Sequence, residues 1–138
     1  MDPENPVIQL CIEGMKAEAE GKPEEARLLF LQAWQQSTDD YDACVAAHYV
    51  ARHQRTPEET LYWNQESLTR ADAVNDERVD AFYPSLYLNM GKACEDLGDI
   101  EQARKYYQLA LARADGLPEG RYADMVHDGI KRGLQRVG

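Results

Sequence analysis

One spacing constrains this chain more than any other feature. Gly14, Ala26, Phe30 and Ala33 recur as Gly91, Ala103, Tyr107 and Ala110, at intervals of 12, 4 and 3 residues in both places. The intervals of 4 and 3 put the last three residues of each set on one face of a helix. The interval of 12 contains a break: Gly21-Lys22-Pro23-Glu24-Glu25 in the first copy, Leu97-Gly98-Asp99-Ile100 in the second. Glycine ends one helix there, and proline or a capping acid begins the next. The same spacing falls on His48, Thr60, Asn64 and Ser67 in between. Gly14 and His48 are 34 residues apart and His48 and Gly91 are 43, so 9 extra residues separate the second and third copies. They are assigned to Asn75–Tyr83.

Local signals mark the same boundaries. Asn5 before Pro6 suits a helix cap and first turn. Thr56-Pro57-Glu58-Glu59 repeats the proline-and-acid start and adds a capping box between Thr56 and Glu59; Asp99 with Gln102 gives a similar box. Asp39 or Asp40 can cap a helix beginning near Tyr41. The inserted segment reads as an extra helical turn or two. Pro84 disfavours helix at Tyr83 and starts a helix at its own position. From Pro118 to Val137, the residues Tyr122, Met125/Val126, Gly129/Ile130 and Leu134 share one face, which predicts a helix closing the open end of a stack. Gly129 and Gly133 each cost such a helix about 1 kcal/mol, and close approach to a neighbouring helix is the simplest compensation.

The stretch Leu86-Tyr87-x-x-Met90-Gly91-x-x-Cys94, Leu97-Gly98-Asp99-Ile100, Ala103-x-x-x-Tyr107-x-x-Ala110-Leu111 resembles one tetratricopeptide repeat, and the upstream copies resemble it in weaker form. The resemblance implies an all-α, right-handed superhelix in a single domain over residues 1–138. Its three units would lie at about 7–40, 41–74 and 84–117, with the inserted segment at 75–83 and a capping helix at 118–138. It also implies a non-catalytic adaptor that binds a protein or peptide segment, because the first helix of each unit lines a concave groove in this family. Carried over, the groove comprises Ile8, Cys11, Met15 and Glu18, then Asp42, Val45, Tyr49, Arg52 and His53, then Ser85, Leu88, Asn89, Lys92 and Glu95. Met15, Val45 and Leu88 would take an aliphatic anchor; Asn89 is a further groove contact, and His53 lies with the aromatic and basic groups toward the middle. Tyr49, Arg52 and Lys92 would orient an acidic or backbone group, since arginine offers bidentate contacts. The alternative is that Arg52 and Lys92 pair with Glu95, Asp96 or Asp42. The family's clamp for a peptide's terminal carboxylate would fall on Cys11, Met15, Ala46, Ser85 and Asn89, and none of these matches.

In the repeat fold the second unit's His48, Thr60, Asn64 and Ser67 lie where its two helices meet. Any one of them buried without a partner costs about 1–3 kcal/mol, so a mutually satisfied structural cluster is expected around the imidazole. Tyr62 and Trp63 are adjacent and cannot both face one core. An exposed Trp63, with Phe82 nearby, would make a homodimer contact attractive. Homodimerisation, or a small-ligand-binding sensor role, is thus the alternative to the adaptor.

Composition narrows the partners. The chain has 138 residues, 43% hydrophobic and 29% charged, and 25 acids against 15 bases give a net charge of −10. With no basic patch, that surface repels phosphate backbones and anionic lipid, so neither nucleic acid nor membrane is expected. No apolar run approaches the roughly 20 residues that span a bilayer, and the opening Met1-Asp2-Pro3-Glu4-Asn5-Pro6 is acidic where a secretory signal is basic. Three cysteines without a CxxC read as reduced core thiols, and the expected location is cytoplasmic. There is no GxGxxG, GxxxxGK[ST] or HExxH. Cys44 and His48 share a helix face, but zinc needs further ligands. No cofactor, metal or catalytic residue is expected.

Overall fold

The computed structural model describes residues 2 and 4–138; Met1 and Pro3 of the acidic opening lie outside. The chain is all-α, built of helix-turn-helix pairs, and among the described residues it contains no strand. It forms two compact units, Met1–Val74 and Asn75–Gly138.

The first unit holds α1 (Pro6–Ala19), α2 (Pro23–Gln36), α3 (Asp40–Val50) and α4 (Pro57–Val74), with a single 3-10 turn at Ala51–His53 after α3. The caps follow from the sequence. Asn5 Oδ1 accepts from the Val7 amide at 2.8 Å, Asp39 Oδ1 accepts from the Asp42 amide at 2.8 Å, and Thr56 Oγ1 accepts from the Glu59 amide at 3.1 Å. Each satisfies an amide that the helix leaves without a partner. Gly21 turns the chain between α1 and α2 at φ 74°, where a β-carbon would be strained.

Phe30 explains the first unit's core. Its ring is fully buried, and it lies so close over Gly14 that a β-carbon there would collide with it. Ala17, Ala26 and Val50 complete the cluster, with Met15, Leu29, Leu31, Trp34, Tyr49 and Trp63 packed around it. Trp34 meets Trp63 edge-on at 5.1 Å, and Arg70 lies over Trp34 at 5.5 Å while pairing with Asp40 and Glu66. Of the two adjacent aromatics it is Tyr62, 60% exposed, that faces solvent, and Trp63 is half-buried.

The second unit begins with a 3-10 helix at Glu77–Phe82, then α5 (Tyr83–Asp96), α6 (Ile100–Ala114) and α7 (Arg121–Val137). Helix α5 starts at Tyr83, one residue earlier than Pro84 suggests. Tyr83 takes helical φ and ψ of −56° and −42°, continuing straight from the 3-10 turn. Tyr107 fills the place of Phe30: a β-carbon on Gly91 would come within 2.8 Å of its ring, and one on Gly133 of α7 within 2.5 Å. Gly129 likewise lets Leu88 approach, so the helical cost of both glycines is offset by closeness.

The buried face of α7 differs from the sequence expectation. Ala123, Val126, Ile130, Gly133 and Val137 are buried, whereas Tyr122 and Met125 are exposed. The helix is turned by about one residue because small Ala123 and Gly133, not the larger Tyr122, let it sit close to α5 and α6. All three cysteines are buried free thiols, and burial pushes Cys11 up to about 12 and raises Cys44 and Cys94, so none is activated.

Candidate functional site

The expected groove residues of the first unit converge where α1 and α3 end. Glu18, in the last turn of α1, receives Arg52 Nη1 on one carboxylate oxygen at 2.9 Å and His53 Nε2 on the other at 2.7 Å. A carboxylate only accepts, so His53 Nε2 carries the proton in this contact. The Arg52 guanidinium also lies 4.8 Å from the centre of the Tyr49 ring. Phe30 supports the group from beneath, stacked on Tyr49 at 5.2 Å and on His53 at 5.8 Å. Met15 packs against the same cluster. Two aromatic rings thus fix the base of the site, and the charged ends face outward.

The exposures are uneven. The Arg52 side chain is 44% exposed, while those of His53 and Glu18 are 20% and 22%. The Arg52–Glu18 partnership was not foreseen: Arg52 does not turn to Asp42, which instead accepts from Asn5 Nδ2 at 2.8 Å. Val45 leaves the candidate set for a physical reason. It is only 4% exposed and cannot offer a side chain to a partner.

The polar cluster of the second repeat is reorganised. Ser67 Oγ, fully buried, donates to the Cys44 carbonyl at 2.8 Å and lies 3.6 Å from Cys44 Sγ. Thr60 Oγ1 donates back to the Thr56 carbonyl at 3.1 Å. Asn64 is buried and its Oδ1 accepts from no described residue. Backbone carbonyls thus take the two hydroxyls. His48 sits edge-on to Tyr49 at 5.1 Å. Burial, reinforced by the Arg52 charge and opposed by Glu18, holds the imidazole down at about 4, so it is neutral at neutral pH.

In the second unit, Leu88 packs with Tyr87, Leu117 and Leu134 around the Ala110–Ala114–Val126–Ile130 core, and belongs to the seal under α7. Lys92 pairs with Asp96 one turn along α5. Asn89 is half-buried, as is Phe82. A second charged group, unforeseen from the sequence, lies at the far end of α5. Glu95 accepts from Tyr107 Oη at 2.7 Å and from Arg136 Nε at 2.8 Å, and Arg104 Nη2 donates to the Val137 carbonyl at 2.6 Å. The Arg136 hydrogen bond holds the Glu95 carboxyl below its usual range, helped by Tyr107 and opposed by desolvation. A signal for it exists: Glu95 stands four residues after Gly91, as Glu18 stands four after Gly14.

Among the described residues no three metal-ligating side chains converge, and no helix is long and apolar enough to cross a membrane. No curated protein matches the chain. Residues 84–116, which comprise α5, the Gly98 turn and α6, match the sequence profile of the tetratricopeptide repeat. Repeats of this kind generally mediate protein–protein interaction and are generally non-catalytic, which supports an adaptor or scaffold role in general terms. With a matched repeat at 84–116 and the same glycine–aromatic packing at Gly14 and Phe30, the chain is a helical-repeat protein that carries one segment matching the tetratricopeptide repeat.

Proposed function

We propose that the protein is a non-catalytic adaptor that holds a segment of a partner protein against Met15, Tyr49, Arg52 and His53. The observation that carries this reading is Arg52: a guanidinium steadied on an aromatic ring, nearly half exposed, in a chain of net charge −10. A cation held in one place loses little side-chain entropy when it meets a carboxylate, so binding there costs less than at a freely moving arginine. The half-buried Met15 and Tyr49 add apolar contact beside it. An acidic residue flanked by an aliphatic one is the partner feature that fits. On the second unit, taken by itself, Asn89 and Lys92 are the candidate contacts, and Lys92 and its partner Asp96 are both exposed.

The test is retention of a partner from source-cell lysate on immobilised protein, comparing wild type with a folded Tyr49→Ala/Arg52→Ala variant. A protein held by the first and lost by the second supports the reading. Equal retention by both removes the site from it. The homodimer alternative moves from Trp63, which is packed on Trp34, to the exposed Tyr62. A molecular mass that stays monomeric as concentration rises would eliminate it.

A further inference from the structure

We propose that Arg52 and His53 form a two-donor carboxylate seat that the protein's own Glu18 fills at rest, so that a partner's acidic side chain binds by exchanging with Glu18. The inference rests on the reading above and says how that site is regulated. Its basis is the geometry of the seat. The two donors come from consecutive residues of one 3-10 turn, and each takes a different oxygen of the same carboxylate, at 2.9 and 2.7 Å. The acceptor comes from another helix, 34 residues away, so α1 supplies to this turn what an incoming aspartate or glutamate would supply.

The donors keep their places without Glu18. Tyr49 lies under the guanidinium and Phe30 stacks on the imidazole, and neither contact involves the carboxylate. Among the described residues the Glu18 carboxylate accepts from those two donors alone, and the Arg52 end of the pair is open to water. On that side the ion pair is screened by solvent and held weakly. Exchange with a carboxylate delivered on a partner segment is therefore cheap, and the vacated Glu18 side chain has solvent to move into. A resting occupant also keeps the seat from collecting adventitious anions.

The experiment is a side-chain NMR titration of the whole protein, following the Arg52 Nε–H and His53 ring signals. The probe is acetyl-Glu-amide, with acetyl-Gln-amide as the neutral control at constant ionic strength. Wild type, Glu18→Gln and Arg52→Ala are compared, and each backbone spectrum reports that the variant is folded. The expected result is saturable movement with the acidic probe only, about threefold to fivefold tighter in E18Q than in wild type and lost in R52A. Equal affinity in wild type and E18Q, with loss in R52A, overturns Glu18 as the resting occupant while leaving the seat and the adaptor reading intact. No saturable movement in either wild type or E18Q overturns the seat itself, and with it the acidic partner.

Discussion

His48 and Asn64 occupy in their repeat the places that Gly14 and Phe30 occupy in theirs, with large and small exchanged between the helices. Ser67 of α4 donates to the Cys44 carbonyl of α3, and His48 and Asn64 each stand about one turn along their own helix from that contact. An imidazole packed on Asn64 would supply from the first helix the ring that the sister repeats supply from the second. Asn64→Phe alone should overpack against the imidazole and cost about 1–3 kcal/mol. His48→Gly alone should lose packing and add about 1 kcal/mol of helix cost. The double variant restores the arrangement of the sister repeats, so its loss should fall short of the sum by at least about 1 kcal/mol. Urea unfolding of the four proteins checks this, and simple additivity would show that the two residues do not pack on one another.

His48 also sets a pH dependence. Its folded value, about 4, lies below its ordinary 6.5, so between these limits the unfolded chain binds more protons than the folded one. Stability attributable to this residue is complete above 6.5 and declines as pH falls toward 4. His48→Gln should flatten the fall of the urea midpoint across that window. An unchanged slope would show that the imidazole is hydrated in the folded protein.

At the scale of the helices, the glycine–aromatic spacing was readable because packing demands it: an aromatic ring over a helix backbone requires a residue without a β-carbon beneath. Face and pairing were less legible. The rotation of α7 is decided by Ala123 and Gly133, whose small size is a packing asset that a hydrophobicity pattern undervalues, so Tyr122 and Met125 looked more buried than they are. The Glu95–Tyr107–Arg136 group joins three helices, and the Gly91–Glu95 spacing within α5 marks only the acid, not its two partners. Its energetics can be ordered in advance. Arg136→Ala removes a partner that is 45% exposed and should cost at most about 1 kcal/mol. Glu95→Ala leaves the hydroxyl of buried Tyr107 without its carboxylate acceptor and should cost more, about 1–3 kcal/mol. Thermal or urea unfolding of both variants decides the order, and hydrogen exchange in the last turns of α7 should quicken in each. The opposite order would mean that Arg136, and not the hydroxyl, depends on Glu95.

Across the whole molecule the fourth residue after the repeat's small position alternates in charge: Glu18, Arg52, Glu95. In the first unit this brings an acid and a base of successive repeats together, and in the second Arg136 of α7 supplies the base. The repeat register was therefore visible in the sequence as a list of positions, while the meaning of the charges at those positions needed three dimensions. Arg52 reads alone as a spare cation in an acidic protein and reads in the structure as half of a pair with an exposed flank. Val45, assigned to the same groove face as Tyr49, is only 4% exposed, because being assigned to a groove face does not guarantee exposure.

Site-specific photo-crosslinking asks most directly whether partners meet the protein at the Arg52 face. A photoreactive residue at exposed position 55, three residues beyond an intact Arg52, with a second protein carrying it at exposed Gln135 of α7 as the comparison, would be irradiated in source-cell lysate. The expected result is a discrete adduct with one protein from position 55, absent at 135 and suppressed by the unlabelled wild type but not by Tyr49→Ala/Arg52→Ala. Adducts that are equal at both positions, or that the double variant suppresses as well as wild type does, would contradict it.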